Sequence, residues 1–186
     1  MDQYESLENA TSVLLGPYRI SFAAVLPGEW ISVQALALRP LNLKKSMPNL
    51  YGLVERAGWP ITRLDLFDYT SSNGFRTAVA PWGQWLAIAF GDYLYLVSIR
   101  SNQVHAYPLQ GYFGRLERLP SHLLVADACR RLCIDASPHV QWSLDLGIGG
   151  VVFAVHGDVV VGEAEIDPAG GWVPFKVDLR TGERLD

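Results

Sequence analysis

Hydrophobic residues along the chain occur in short runs, several of which alternate with polar residues, and Gly, Pro, Asn and Asp separate the runs. Short apolar or alternating runs between turn signals are typical of β-strands. We therefore predict a mainly β protein. Its expected strands are Tyr18–Val25, Trp30–Leu38, Trp85–Ala89, Tyr93–Ile99, Val104–Leu109, Leu123–Ala126, Leu132–Ile134, Val151–Val155, Val159–Ile166 and Trp172–Leu179.

One segment, Pro48–Ala57, has apolar residues at helical spacing from Leu50 onwards. A proline suits the first turn of a helix, and Gly58 follows where the helix would end. Gln3–Asn9 is a weaker helix candidate. The pattern thus predicts one or two short helices, both before residue 60.

Three strand-and-turn units repeat along the second half of the chain, at Val97–Val104, Ile134–Val140 and Val177–Glu183. In each, a strand ends near a polar residue and a tight turn follows. Ser98 and Asp135 are 37 residues apart, and Asp135 and Asp178 are 43 residues apart. Periods near 40 residues are typical of propeller blades, each of which is a small antiparallel sheet.

Two of these units resemble the outer-strand motif of the quinoprotein-type β-propeller repeat, which has the form apolar-Asp-x-x-Thr-Gly-x-x-x-Trp. They are Val177–Gly182 (Val-Asp-Leu-Arg-Thr-Gly) and Cys133–Trp142 (Cys-Ile-Asp-Ala-Ser-Pro-His-Val-Gln-Trp). The chain departs from the motif at Ser98, where an Asp is expected, and at Asn102 and Pro138, where a Gly is expected. The resemblance extends over residues 91–186 and implies stacked antiparallel blades.

Three further stretches, Gly111–Gly114, Gly149–Val152 and Asp167–Phe175, resemble a bacterial family with propeller-like strands. That family implies a fold and no activity, so it assigns no role to any residue of this chain.

The chain contains no linker or low-complexity segment, which predicts one domain over residues 1–186. Residues 1–80 would form an N-terminal part with a short helix, and residues 81–186 a repeat-containing β part. Three repeat units are too few for an ordinary ring. We therefore expect an incomplete or small propeller-like stack of antiparallel blades, with a β-sandwich as the alternative.

Composition narrows the class of protein. Of the 186 residues, 49% are hydrophobic and 18% are charged, which excludes a mostly disordered chain. Met1–Glu8 is acidic and lacks the basic start of a secretory signal. The longest apolar runs fall far below the roughly 18–20 residues that span a bilayer. These features predict a cytoplasmic protein that does not bind membranes.

Candidate chemistry is sparse. Cys129 and Cys133, if both lie in one strand, are about 13 Å apart, too far for a disulfide between them. The four histidines are spaced 17 residues apart and lack the close pairs of a zinc site. Gly147–Gly150 lacks the Lys of a phosphate-binding loop, and no nucleophile elbow is present. We therefore predict no enzyme activity, no metal and no cofactor.

Charge is distributed unevenly along the chain. Residues 1–131 hold 12 basic and 10 acidic side chains, whereas residues 132–186 hold three basic and nine acidic ones. From Leu132 to Phe175 there is no Lys or Arg. With a pI near 5.5 and only three Lys, the chain has no basic stripe for nucleic acid.

The acidic side chains are concentrated in one predicted strand. Alternation there places Glu163, Glu165 and Asp167 on one wet face, with Asp158 before them and Trp172 after. Like charges two residues apart repel one another, and a partner's Lys or Arg, or a cation, would relieve that repulsion. These five residues are our predicted partner-binding site. A solvated face that only maintains solubility, or a metal site, is the alternative.

A compact acidic β protein without a catalytic constellation fits a binding module. The most concrete version is an immunity protein that neutralises a basic bacterial toxin through this acidic surface, because complementary charge speeds capture. The alternatives are a propeller-like structural adaptor and a hydrolase with its site at the mouth of the blades.

Overall fold

The computed structural model describes residues 12–41, 43–44, 47–68, 77–146, 152–165 and 171–185. The chain divides into two compact units, Met1–Pro108 and Leu109–Asp186. Within the described ranges nearly all regular structure is β-strand, and Gly28–Trp30 forms a short 3-10 helix. The predicted mainly β class is confirmed.

The first unit contains a five-stranded sheet with the order β1-β2-β4-β5-β3. Its neighbours are antiparallel except for β3, which runs parallel to β5. The strands are β1 (Ser12–Leu15), β2 (Tyr18–Ala23), β3 (Ala35–Leu38), β4 (Leu50–Arg56) and β5 (Trp59–Leu66). The predicted strand Trp30–Leu38 is therefore shorter, because its first residue belongs to the 3-10 helix.

The predicted helix Pro48–Ala57 is wrong, because this segment forms β4, which pairs with β2 on one side and β5 on the other. Both faces of β4 are covered between Tyr51 and Val54, so apolar residues occupy successive positions and the helical spacing among them is coincidental. Ala57 and Gly58 both have positive φ, as a two-residue type I′ hairpin turn requires. The other predicted helix, Gln3–Asn9, lies outside the described residues.

The second sheet of the first unit is a four-stranded antiparallel meander. Every residue of the third strand is buried, as are all but one in the second. A strand that is buried on both faces has a continuous run of apolar residues in its sequence. Both of these strands could therefore be predicted from the sequence. The strands are β6 (Ala78–Trp82), β7 (Trp85–Phe90), β8 (Tyr93–Ser98) and β9 (Gln103–Pro108).

The second unit contains a four-stranded and a three-stranded antiparallel meander. The first comprises β10 (Phe113–Arg118), β11 (His122–Asp127), β12 (Arg130–Asp135) and β13 (Val140–Asp145). The second comprises β14 (Val152–His156), β15 (Val159–Glu165) and β16 (Trp172–Asp178). The up-and-down order of these sheets is that of propeller blades, while their arrangement as an incomplete or small stack stays a prediction.

The repeat motif stabilises turns in the second unit. Asp178 Oδ1 accepts hydrogen bonds from the backbone N–H groups of Arg180 (2.8 Å) and Thr181 (2.9 Å). Asp135 Oδ1 accepts in the same way from Ser137 (2.8 Å) and His139 (3.0 Å). In both repeats the carboxylate therefore fixes the turn after the strand.

The Trp at the end of the motif joins one repeat to the next. Trp142 Nε1 donates to the carbonyl oxygen of Leu179 at 2.7 Å, 37 positions further along the chain. Gly182 lies against the indole, since a Cβ at this position would be 2.6 Å from Trp142 Cγ. The Gly of one repeat thus lies against the Trp of the other, and this Trp belongs to the core of the unit.

Candidate functional site: an acidic and aromatic sheet face

The predicted acidic strand is β15, and it has the predicted alternation. Glu163 is exposed, Ala164 is only 1% exposed, and Glu165 is partly exposed. Ala164 belongs to the apolar core of the second unit. The two carboxylates therefore share the outward side of the three-stranded sheet.

Trp172 lies beside them on the neighbouring strand. In the antiparallel register of β15 and β16, Trp172 pairs with Glu165 and Pro174 pairs with Glu163. Directly opposed residues project to the same side of a sheet, and the Trp172 side chain is 51% exposed. We call the surface formed by Glu163, Glu165 and Trp172 the acidic face.

Basic residues border one end of the acidic face. A shallow depression of about 510 Å³ lies there. Its lining includes Val161, Glu163, Pro174, Lys176, Arg184 and Leu185. The sequence suggested a surface with acidic residues only. The fold, however, places Lys176 and Arg184 at the border of the acidic face.

Part of the outer edge of β16 is covered by the chain itself. Leu185 N–H donates to Lys176 C=O on the side away from β15, and Val177 forms a bridge with Arg184. Residues two apart in a strand point their backbone groups to the same side, so the backbone of Trp172 and Pro174 also faces this edge. Pro174 has no N–H to leave unpaired there, which suits an edge position.

The structure does not place Asp158 on the acidic face. Asp158 lies in the turn between β14 and β15, where its Oδ2 accepts from Arg180 Nη2 at 2.7 Å. Its charge is thus already compensated by a neighbouring cation. Asp167 lies outside the described residues, so the structure brings together Glu163, Glu165 and Trp172.

The other chemically suggestive residues have local roles. His105 packs edge-on against Trp85, with ring centroids 5.3 Å apart, and His122 Nδ1 is 2.9 Å from Ser121 Oγ. Within the ranges that the structure describes, no group of three or more His, Cys, Asp or Glu residues is placed to hold a metal ion. No helix in the same ranges is long and apolar enough to cross a membrane.

Both cysteines are free thiols. Cys133 is buried in β12, and burial raises the pKa of its thiol to about 12. Cys129 lies in the turn before β12 and donates its backbone N–H to Asp127 Oδ1 at 3.0 Å. The interpretation that one strand holds both cysteines was therefore incorrect for Cys129.

A second exposed aromatic residue went unnoticed in the sequence. Trp59 is 75% exposed at the start of β5, and Ile61, two residues later on the same face, is 46% exposed. The helix assigned to the preceding segment concealed this hairpin. A two-residue turn between apolar runs, Ala57-Gly58, was the available signal.

No protein-family model matches the chain, and no curated protein matches it in sequence. Solved structures that match the chain include BamB from Moraxella catarrhalis, with a TM-score of 0.49 and 11% identity over 94% of this chain. Apo AztD from Citrobacter koseri has a TM-score of 0.48 and 11% identity, also over 94%. The Pan2 WD40 domain from Neurospora crassa has a TM-score of 0.41 and 11% identity over 73%.

These three structures are β-propeller or WD40-like proteins. The matches cover 62%, 45% and 45% of their respective lengths, so this chain spans only part of each. The similarities assign no activity, ligand or partner to the chain.

Proposed function

We propose that this chain is a protein-binding module whose acidic face docks a basic protein partner. The observation that carries the proposal is the placement of Trp172, half exposed, directly across the strand pair from Glu165. An exposed Trp offers a partner a large apolar contact, and the neighbouring carboxylates favour a partner with positive charge.

Electrostatics supports a basic partner. Glu163 and Glu165 form no ion pair with any residue in the described ranges, and they lie two positions apart on one face. Their mutual repulsion decreases when a partner's Lys or Arg approaches. Such charges act mainly on the association rate, which complementary potentials raise.

Trp172 supplies the anchor in this proposal. Binding energy in protein interfaces concentrates in a few residues, and Trp is enriched among them. A half-exposed indole on a sheet buries much additional area when a partner covers it. It loses little side-chain entropy, because Trp has only two χ angles.

The finer proposal is an immunity protein that neutralises a basic bacterial toxin in the cytoplasm, without a cofactor and without enzyme activity of its own. It rests on charge complementarity, because an acidic binding surface fits a basic toxin. Many toxins that act on nucleic acids are basic, because their substrates are polyanions.

A structural adaptor is the second candidate, and Trp59 favours it. Each of the two units presents an exposed Trp on a sheet, so the chain offers two separate apolar anchors. An adaptor would use both surfaces, whereas an inhibitor that uses only the acidic face would tolerate the loss of Trp59.

The proposal is tested by capturing a partner from extract of the native cell, identifying it, and measuring binding kinetics with both proteins purified. Reversing charge in the double variant Glu163→Lys/Glu165→Lys is expected to lower the association rate by about tenfold at low salt and to flatten its salt dependence. Glu29→Lys, an exposed reversal in the other unit, is the matched control.

Unchanged association by the folded double variant would contradict docking on the acidic face. For the immunity proposal, the captured partner is expressed with and without this chain, and rescue of growth by the wild type but less by the double variant is expected. Turnover in a hydrolase screen by the chain alone would instead favour the enzyme alternative.

A further inference from the structure

The two four-stranded meanders have a complete fourth strand, whereas the three-stranded sheet of the second unit does not. In the meanders, β9 pairs with β8 and β13 pairs with β12, in each case along nearly the whole strand. Strand β16 is the third strand of its own meander, and among the described residues only Arg184 and Leu185 lie where its fourth neighbour would be. The edge of β16 from Trp172 to Phe175 is therefore open in the part of the chain that the structure describes.

Three backbone groups at this edge have no hydrogen-bond partner among the described residues. Lys176 C=O points away from β15, because it accepts from Leu185 N–H. Backbone groups of a strand point to the same side at every second residue, so the C=O of Pro174 and both the N–H and the C=O of Trp172 also point outward. These three groups are available to pair with an added strand.

Exposed apolar side chains accompany the open edge. Trp172 is 51% exposed on the acidic face, and Val173 is 40% exposed on the opposite face of the sheet. In β8, which has a complete fourth strand beside it, the position equivalent to Val173 is Tyr93, and Tyr93 is only 8% exposed. A fourth strand beside β16 would thus cover apolar surface on both faces of the sheet.

We propose that the open edge of β16 binds an extended segment of the basic protein partner as an antiparallel fourth strand. The inference rests on the proposed function, since it specifies how that partner lies against the acidic face. The antiparallel direction follows from the bridge between Val177 and Arg184 and from the direction of β9 and β13. Sheet edges bind extended peptides in this way, with affinity from main-chain hydrogen bonds and specificity from alternate side chains.

The register determines which residues the side chains of the segment meet. The residue opposite Trp172 projects to the acidic face. A Lys or Arg there lies beside the Trp172 indole, which attracts cations. It also lies about 10 Å from β15, a distance that its side chain and that of Glu165 span together. The residue opposite Val173 projects to the other face, where an apolar side chain covers Val173. The segment therefore has an apolar residue followed directly by a basic one.

The cations that border the acidic face lie at its other end. Lys176 is four residues along β16 from Trp172, which is about 13 Å and exceeds the Debye length of about 8 Å at physiological ionic strength. Arg184 lies further still, opposite Val177. Glu165 forms no ion pair within the described ranges, so its charge is available to a basic residue of the segment.

A second copy of this chain fits the edge less well than a basic segment does. Pairing of two β16 edges would place Glu163 and Glu165 of both copies on the same side of one continuous sheet, where like charges repel. Pro174 further limits such pairing, because it has no N–H to donate. The charge of the acidic face therefore favours a different, basic occupant.

The first measurement uses the isotope-labelled wild-type chain and the capped peptide Ser-Thr-Val-Lys-Thr-Ser as the probe. The Val and Lys of the peptide are designed to lie opposite Val173 and Trp172. Binding should shift the Trp172 amide signal, slow the exchange of that N–H with deuterium, and give a nuclear Overhauser contact between the α protons of Val173 and the peptide Val. These two residues would form a non-hydrogen-bonded pair, whose Cα atoms are about 4.5 Å apart.

Backbone methylation of the probe separates strand addition from contact by side chains alone. The backbone N–H of the peptide Lys would face β16 and donate to Trp172 C=O, whereas that of the peptide Val would face away. We therefore expect methylation of the Lys backbone nitrogen to weaken binding by about tenfold or more, and methylation of the Val backbone nitrogen to keep Kd within about twofold. The two methylated peptides have the same composition and charge, so each is the control for the other.

The variant Glu165→Gln tests the charge of the proposed segment. It should weaken binding of the Lys peptide by about twofold to fivefold, which is the effect of a solvent-exposed ion pair. A peptide with Gln in place of Lys should bind the wild type and this variant equally. Glu29→Gln, an exposed change in the other unit, is the matched control and should leave binding unchanged.

Strand addition and the proposed function can fail separately. If the two methylated peptides bind equally while Glu165→Gln still weakens binding, strand addition is overturned and docking on the acidic face is retained. If the two methylated peptides differ as expected and Glu165→Gln has no effect, strand addition is supported and selection of a basic partner is contradicted.

Three further outcomes would overturn strand addition. The first is an unchanged Trp172 amide signal with the peptide at up to about 5 mM. The second is a Trp172 N–H that is already protected from exchange in the free monomer, which would show that the chain itself covers the edge. The third is protection that develops only as the concentration of the chain rises, which would show that a second copy covers it.

Discussion

Strands β8 and β16 differ in the surroundings of their two faces. All six residues of β8 are buried, and Leu94, Tyr95 and Leu96 are each 0% exposed. In β16 the first three residues are exposed and only Val177 is buried. Strand β8 therefore contributes to the core through both faces, whereas β16 contributes through one face and leaves the other available for binding.

Because of this difference, we expect β8 to contribute to stability and the outward side of β16 to contribute to partner binding. Substitutions in β8 change packing on both sides of a sheet, so they act on the free energy of unfolding. Substitutions on the outward side of β16 and β15 remove little packing, so they are expected to act on binding. Each of the following predictions sharpens or breaks this separation.

The largest expected effect is on the core. Leu96→Ala in β8 removes a fully buried side chain, and we expect the free energy of unfolding to fall by about 2–5 kcal/mol. Leu14→Ala is the control, because Leu14 is 68% exposed and its loss should change stability by less than about 0.5 kcal/mol. Denaturant unfolding measures both, and equal losses would contradict the burial contrast.

The motif glycine is the next test. Gly182 has φ +74°, and a Cβ there would meet Trp142 Cγ at 2.6 Å. Gly182→Ala should therefore lower the free energy of unfolding by about 2–4 kcal/mol, through backbone strain and overpacking.

Gly157→Ala is its matched control, since Gly157 has φ +61° and a Cβ added there would meet nothing within 4 Å. It should show only the backbone penalty, of about 1–2 kcal/mol. If the two variants are equally destabilised, the contact between Gly182 and Trp142 does not contribute.

Trp172→Ala tests the recognition side of the comparison. We expect it to weaken binding of the partner by about 2 kcal/mol or more, chiefly through faster dissociation, and to leave Tm nearly unchanged. Trp59→Ala, which removes the more exposed Trp of the other unit, should keep the affinity if the chain is an inhibitor that uses the acidic face alone. A large loss of stability in Trp172→Ala would place this residue with the core instead.

A smaller effect is expected for the pH dependence of stability. Hydrogen bonds from the Thr181 and Arg180 backbone N–H groups lower the pKa of Asp178. A carboxylate whose pKa is lower in the folded than in the unfolded state stabilises the fold at pH values above the unfolded-state pKa, which is about 3.9 for Asp. That stabilisation is lost as the pH falls through the folded-state pKa. The stability difference between wild type and Asp178→Asn should thus shrink on acidification below about pH 4, and a constant difference between pH 6 and pH 2.5 would contradict this account.

The smallest expected effect is that of chelator and reductant. Cys129 and Cys133 are free, and we expect Tm to be the same with and without a chelator or a reducing agent. A large decrease with chelator would indicate a structural metal and would draw attention back to the four histidines.

Much of the fold followed from local patterns. The continuous apolar runs of β7 and β8 and the alternation of Glu163, Ala164 and Glu165 were visible in the sequence, because side chains of a strand alternate between two faces. The turn motifs at Asp135 and Asp178 were visible for a similar reason, since a carboxylate that accepts hydrogen bonds from the N–H groups two to four residues later acts locally.

The wrong helix and the overlooked Trp59 have one physical cause. Pro48–Ala57 was predicted as a helix, but it contains β4, and pairing of β4 with β2 and β5 buries both faces of the strand and thus removes the alternation that distinguishes a strand. Such pairing depends on residues distant in sequence, which no local window contains. The same applies to Trp59, whose exposure depends on the hairpin that β4 and β5 form.

The sequence by itself determined the mainly β class, the strand-and-turn repeat and the outward direction of Glu163 and Glu165. Tertiary structure alone decided that Asp158 is paired with Arg180, that Trp172 lies opposite Glu165, and that Arg131 Nε and Nη2 are buried with no hydrogen-bond partner among the described residues. Side-chain direction follows from the backbone period, whereas charge pairing and burial arise only when distant segments pack together.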